Sequence, residues 1–94
     1  MKHEEWRANL RTVAKSAAGK IVLMEIIARC NTYGSVFSSD PLSMAYLEGQ
    51  RFVGGWLRGD ILDAAPESFM QMTLDDHNRR KKEQHDGNDA NADE

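Results

Sequence analysis

Apolar residues recur along the first thirty positions with the spacing of a helix face. In "EEWRANLRTVAKS" the apolar positions Trp6, Leu10 and Val13, continued by Ala17, step by four, three and four, which puts them on one helical side. Glu4 and Glu5 suit the positive end of a helix dipole. Ser16 is a natural N-cap for a second segment, "AAGKIVLMEIIARC", expected to bury Leu23, Ile26, Ile27 and Cys30, flanked by Val22 and Met24. Residues 4–30 read equally as two helices or as one bent helix. "NTYGSVFSSD" carries turn residues and marks a loop, with Tyr33, Val36 and Phe37 as apolar pins. Asp40-Pro41 pairs an N-cap with a proline at the first helical position, so a third helix is predicted from 41 to about 63. Pro66 forces a fresh start, giving a fourth helix with Phe69, Met70, Met72 and Leu74 near its beginning. After Gln84 the apolar content collapses, and 85–94 reads as a disordered acidic tail. The fold class is therefore all-α, a small bundle of three to four helices, with one domain over 1–84 and the tail beyond.

The third segment has four glycines at 49, 54, 55 and 59, each costing roughly 1 kcal/mol relative to alanine in a helix interior. At 100° per residue, Leu42, Ala45, Tyr46, Gly49, Phe52, Val53, Trp56 and Leu57 share a stripe about 140° wide, read as core-facing. Gly54, Gly55 and Gly59 flank the opposite side, which carries Met44, Leu47, Arg51 and Arg58. A solvated back face gains nothing from losing side chains. The helix is thus expected to be used on both sides, with a glycine-floored groove and two guanidinium groups offered to a partner. Against this stands a monomer-only reading: glycines that kink the helix, and Arg51 paired with Glu48 on its own surface.

Residues 16–61, "SAAGKIVLMEIIARCNTYGSVFSSDPLSMAYLEGQRFVGGWLRGDI", resemble a small phage domain, the Bbp-nineteen-like family. The resemblance rests on Gly19-Lys20, the apolar run Ile21 to Ile27, Cys30, Phe37, and the stretch Glu48 to Leu57, "EGQRFVGGWL". It implies a protein encoded by tailed bacteriophages or prophages near structural genes, and no enzymatic activity. Lys20-Ile21 stands where the family has a basic pair, and Gly55 where it more often has a larger residue.

Composition narrows the chemistry. The 94 residues are 40% hydrophobic and 29% charged, with a formal net charge of -3, unlike the basic balance of a dedicated nucleic-acid binder. No stretch approaches the roughly 20 apolar residues of a membrane span, and the start has no apolar signal-like run. Cys30 is the only cysteine, and His3, His77 and His85 have no metal-ligand spacing, so no metal, cofactor or catalytic constellation is expected. Gly54-Gly55-Trp56-Leu57-Arg58-Gly59 lacks the lysine-serine ending of a phosphate loop. Arg79-Arg80-Lys81-Lys82 is the one basic cluster, hemmed by Asp75, Asp76, Glu83 and Asp86. It reads as a solvated helix end or as a sequence-blind phosphate contact.

The expected function is that of a non-enzymatic phage structural or virion-associated protein acting through helix-mediated contacts. Its partner would be a phage structural protein or a second copy, met through Leu47, Arg51, Gly54, Gly55 and Arg58, while Trp56, Phe52 and Tyr46 hold the monomer together. The competing expectation is a nucleic-acid-associated factor in packaging or ejection using Arg79, Arg80, Lys81 and Lys82. Neither reading calls for a membrane or a small-molecule substrate. The expected location is the host cytoplasm, the virion, or both.

Overall fold

The computed structural model describes residues 1–30, 32, 34 and 37–92, with side chains described through His85. Four helices follow in order: α1 (His3–Lys15), α2 (Ala17–Arg29), α3 (Pro41–Ala64) and α4 (Pro66–Ala92). No strand occurs among the described residues. The expected tail falls mostly beyond the described side chains, and residues 93 and 94 lie outside the described residues. The α4 backbone is helical through Ala92, past the Gln84 where the hydrophobic pattern ends.

The question left open over residues 4–30 resolves as two helices. Ser16 adopts an extended backbone and its hydroxyl accepts from the Gly19 amide at 2.9 Å while donating to the Val13 carbonyl at 2.8 Å. One side chain thus closes α1 and opens α2. Gly19 is buried in this corner. A Cβ there would collide with the Val13 carbonyl oxygen and the Ser16 hydroxyl, so only glycine lets the two helices meet so tightly.

At the start of α3, the Asp40 carboxylate accepts from the Leu42 amide at 3.2 Å and from the Ser43 hydroxyl at 2.8 Å, with Pro41 just behind the cap. At its end, guanidinium groups from α1 satisfy the last carbonyls. Arg11 Nε donates to the Ala64 carbonyl at 2.8 Å, and Arg7 Nη2 to the Asp63 carbonyl at 3.1 Å. Positive charge at the negative end of a helix dipole is the favourable sign.

The core lies where α1, α2, the second half of α3 and the start of α4 converge: Leu10, Ala14, Leu23, Met24, Ile27, Leu57, Ile61, Ala64, Ala65, Phe69 and Met72. Several expected faces are shifted. In α1 it is Ala14, not Val13 or Ala17, that continues the buried series from Leu10, because the corner at Ser16 ends the helix before the stripe can run on. In α2 Met24 is buried and Ile26 is 40% exposed; in α4 Met70 and Leu74 face outward. Of the three apolar pins in the loop, Tyr33 and Val36 lie outside the described residues and Phe37 is exposed.

The molecule is a slab, 56 × 39 × 15 Å, with a radius of gyration of 16.3 Å. A compact chain of this length has about 12 Å. Two features account for the difference: the length of α4, and a first half of α3 that extends past the core.

Candidate protein-interaction surface

The buried side of α3 is rotated away from the expected one and lies between the two predicted faces. Its buried residues are Gly54, Leu57, Ile61 and Ala64, with Leu47, Gln50, Arg58 and Asp60 half-buried. The stripe expected to face the core points outward instead: Leu42 is 81% exposed, Tyr46 67%, Phe52 75% and Trp56 50%. Ala45, Gly49 and Val53 are exposed with them, and Leu57 alone of the expected set is interior. The core side is rotated by about 100°, one residue's turn, from the centre of the apolar stripe. Tyr46 and Phe52 therefore do not hold the monomer together.

The cause is the end of α2. Gly54 sits under Cys30 and Thr32, and a Cβ at 54 would come within 2.8 Å of the Cys30 Cβ and collide with the Thr32 hydroxyl. That hydroxyl is fixed by its own hydrogen bond to the Ile27 carbonyl at 2.8 Å. Close approach of two helices here, rather than a groove for a partner, accounts for Gly54. Around Gly49, Gly55 and Gly59 a Cβ would meet nothing within 4 Å.

The five residues expected to form a partner face consequently separate. Leu47, Gly54 and Arg58 turn toward the chain's own interior, with the Arg58 guanidinium 5.3 Å from the centre of the Phe69 ring on α4. Arg51 and Gly55 stay outside, and Arg51 lies 3.9 Å from Glu48 on the same helix. This is the surface pairing weighed against a partner role for Arg51.

Trp56 marks the boundary between interior and surface. Its ring stacks on Trp6 of α1 with centroids 5.5 Å apart and planes 14° from parallel. The Trp6 indole N–H donates to Asp60 Oδ2 at 2.8 Å, so α1 is pinned to α3 by a ring stack and a charge-assisted hydrogen bond. Met1, His3, Trp6, Trp56 and Asp60 border a shallow groove beside the stack. The sequence carried a signal for this pair, since both tryptophans stand at stripe positions, but the stripes gave no hint that they meet.

Between residues 41 and 53 no side chain of α3 is buried. Leu42, Met44, Tyr46, Phe52 and Val53 project from this arm, which is about 20 Å long. With Trp56 just beyond the arm, Tyr46 and Phe52 make three rings, half to three-quarters exposed, that present on the order of 400 Å² of aromatic surface. That is already the size of the largest apolar patch on a typical monomer, and such patches mark interaction sites. Further apolar grooves lie on α2, bordered by Ile21, Val22 and Ile26, and on α4, bordered by Met70 and Leu74.

The basic cluster on α4 is half-occupied from within. Asp76 accepts from Arg79 at 2.8 Å and from Arg80 at 2.9 Å, and its carboxylate holds the Arg80 guanidinium above its ordinary range. Asp75 instead accepts from Gln71 at 2.8 Å. Lys81 and Lys82 are exposed. A groove bordered by Lys15, Lys20, Asp75 and Arg79 runs between the α1–α2 corner and α4, and the Lys20 ammonium there donates to the Lys15 carbonyl. Among the described residues no group of three or more histidine, cysteine, aspartate or glutamate side chains is placed to hold a metal ion. No described helix is long and apolar enough to cross a membrane.

No match is found among curated proteins or among solved structures. A family model does match, that of the Bbp19-like phage protein, over residues 10–73. The match begins at the first core residue of α1 and ends one residue past Met72, the last core residue of α4. It therefore takes in every buried core residue, the α1–α2 corner and all of α3, with Trp6 outside it. The chain belongs to the Bbp19-like phage protein family.

Proposed function

We propose that this phage protein is a non-enzymatic structural or virion-associated component that works through helix-mediated protein contacts, with the outer edge of α3 as the contact surface. One observation carries the reading: an arm with Leu42, Tyr46, Phe52 and Val53 turned to solvent, on a chain whose interior is already complete without them. Burying such side chains contributes about 1.5–3 kcal/mol each, a driving force that the isolated molecule leaves unused. Of the residues expected to meet a partner, Arg51 and Gly55 stay at the surface but lie about 160° and 120° around the helix from Gly49, outside this edge, while Leu47, Gly54 and Arg58 turn inward. The protein would be made in the host cytoplasm and carried into the particle, acting without cofactor or small-molecule substrate.

The nucleic-acid reading has less behind it, because Asp76 already holds two of the four cations that would have to neutralise phosphates. The test is mass spectrometry of purified particles from a phage or prophage encoding this chain. The expected result is the chain at a fixed copy number per particle. Its absence from particles, with ample free protein in the same lysate, would remove the proposal.

A further inference from the structure

We propose that the outer edge of α3 receives the same edge of a second copy of this chain, in an antiparallel pair related by a two-fold axis beside Gly49. This inference rests on the reading of that edge as a protein contact and names the partner. Any helical stripe is symmetric in position about its own centre; this one is also graded in size. Gly49 stands in the middle, and rings or a leucine stand toward both ends. An antiparallel mate crossing at Gly49 sets Tyr46 against the partner's Phe52 and Leu42 against the partner's Trp56. Each of these contacts recurs across the axis, as an isologous interface requires.

The geometry at each point favours this mate. A Cβ on Gly49 would meet nothing within 4 Å, so the space over the glycine is open and the monomer has no use for it. Two helices meeting glycine to glycine approach to the short end of the 8–10 Å range of interaxial distances. The bulky residues on either side then interdigitate. One face of Trp56 is covered by Trp6, and the groove beside that stack is a seat for an incoming leucine. From Leu42 to Trp56 the stripe itself carries no charged residue, so no like charges are brought together along its length. Its ring surface, with Leu42 and Val53 added, comes to about 600 Å², the low end of the per-partner area of a standard interface.

The test uses the full chain in a Cys30→Ser background. Gly49→Cys places one thiol at the crossing, and Gly59→Cys places one about 15 Å further along the same helix. Mild oxidation should link Gly49→Cys chains to one another at least about tenfold faster than Gly59→Cys chains. Gly49→Glu fills the open position with a charge. It should reduce the native mass from two chains to one while the helical circular dichroism stays unchanged. Equal cross-linking at both positions, or a single-chain mass for the unaltered protein throughout a concentration series, overturns the two-fold pair. If the pair fails while the chain is still found in particles, only this inference falls. If the pair forms while particles lack the chain, the pairing stands and the virion role falls.

Discussion

Gly54 and Gly55 are adjacent in sequence and have opposite reasons to be glycine. Gly54 lies against the end of α2, where the Cys30 Cβ and the Thr32 hydroxyl leave no room for another carbon; Gly55 faces open space. Gly54→Ala is therefore expected to lower stability by about 1–3 kcal/mol through overpacking. Gly55→Ala should raise it by up to about 1 kcal/mol through helix propensity alone. Urea denaturation of the two variants measures both signs, and a gain at both positions would place Gly54 outside the interior. The sequence marks each glycine as unusual in a helix. It does not say which is crowded, because the crowding residues lie more than twenty positions away in the chain.

For the elements, the helix starts were legible from local signals, while the C-terminal end of α4 and the helix faces were not. Ser16 and Asp40 fix their boundaries through bonds to residues within four positions, and Pro66 by lacking an amide hydrogen, so local chemistry is enough to find them. Which side of α3 is interior depends on where α1 and α2 dock, and both of its sides carry apolar residues. The guanidinium clamp on its C-terminus, from Arg7 and Arg11, was invisible for the same reason. Arg11→Met, which keeps the apolar stem and removes the donor, is expected to cost about 1–2 kcal/mol in denaturant unfolding. A neutral result would show that the Ala64 carbonyl is satisfied without it.

Acid sensitivity belongs to the other end of α3. The Ser43 hydroxyl, and after it the Leu42 amide, hold the Asp40 carboxyl below its usual range. A carboxylate with a depressed folded-state value contributes stability that is fully present above its unfolded-state value and is lost as pH falls through the folded one. The cap's contribution should therefore be intact at neutral pH and fade only in acid below the ordinary aspartate range. Asp40→Ala should have a lower melting temperature than the unaltered chain at pH 7, with the gap narrowing in strong acid. A gap that stays constant with pH would mean that the carboxylate is not the capping group.

As a whole molecule, the protein is a thin slab whose core is completed by half of its longest-reaching inner helix, while the other half stands clear with its rings exposed. The all-α class and the phage family were both legible from the chain, the latter in the "EGQRFVGGWL" stretch of α3. The interaction edge was legible only as an apolar stripe, assigned to the interior when the interior side lies about a quarter-turn away from it. The bulkier side of a helix is the natural guess for its interior, and a helix that serves both a core and a partner defeats that guess. The measurement that bears most directly on the account is the amount of Phe52→Asp chain recovered in purified particles relative to the unaltered chain, with melting temperature as the control for folding. Phe52 is 75% exposed and outside the core, so the variant should melt within a few degrees of the parent, yet its recovery should fall at least about tenfold. Recovery equal to that of the unaltered chain, or a variant that no longer folds, would contradict the placing of this edge as a free contact surface.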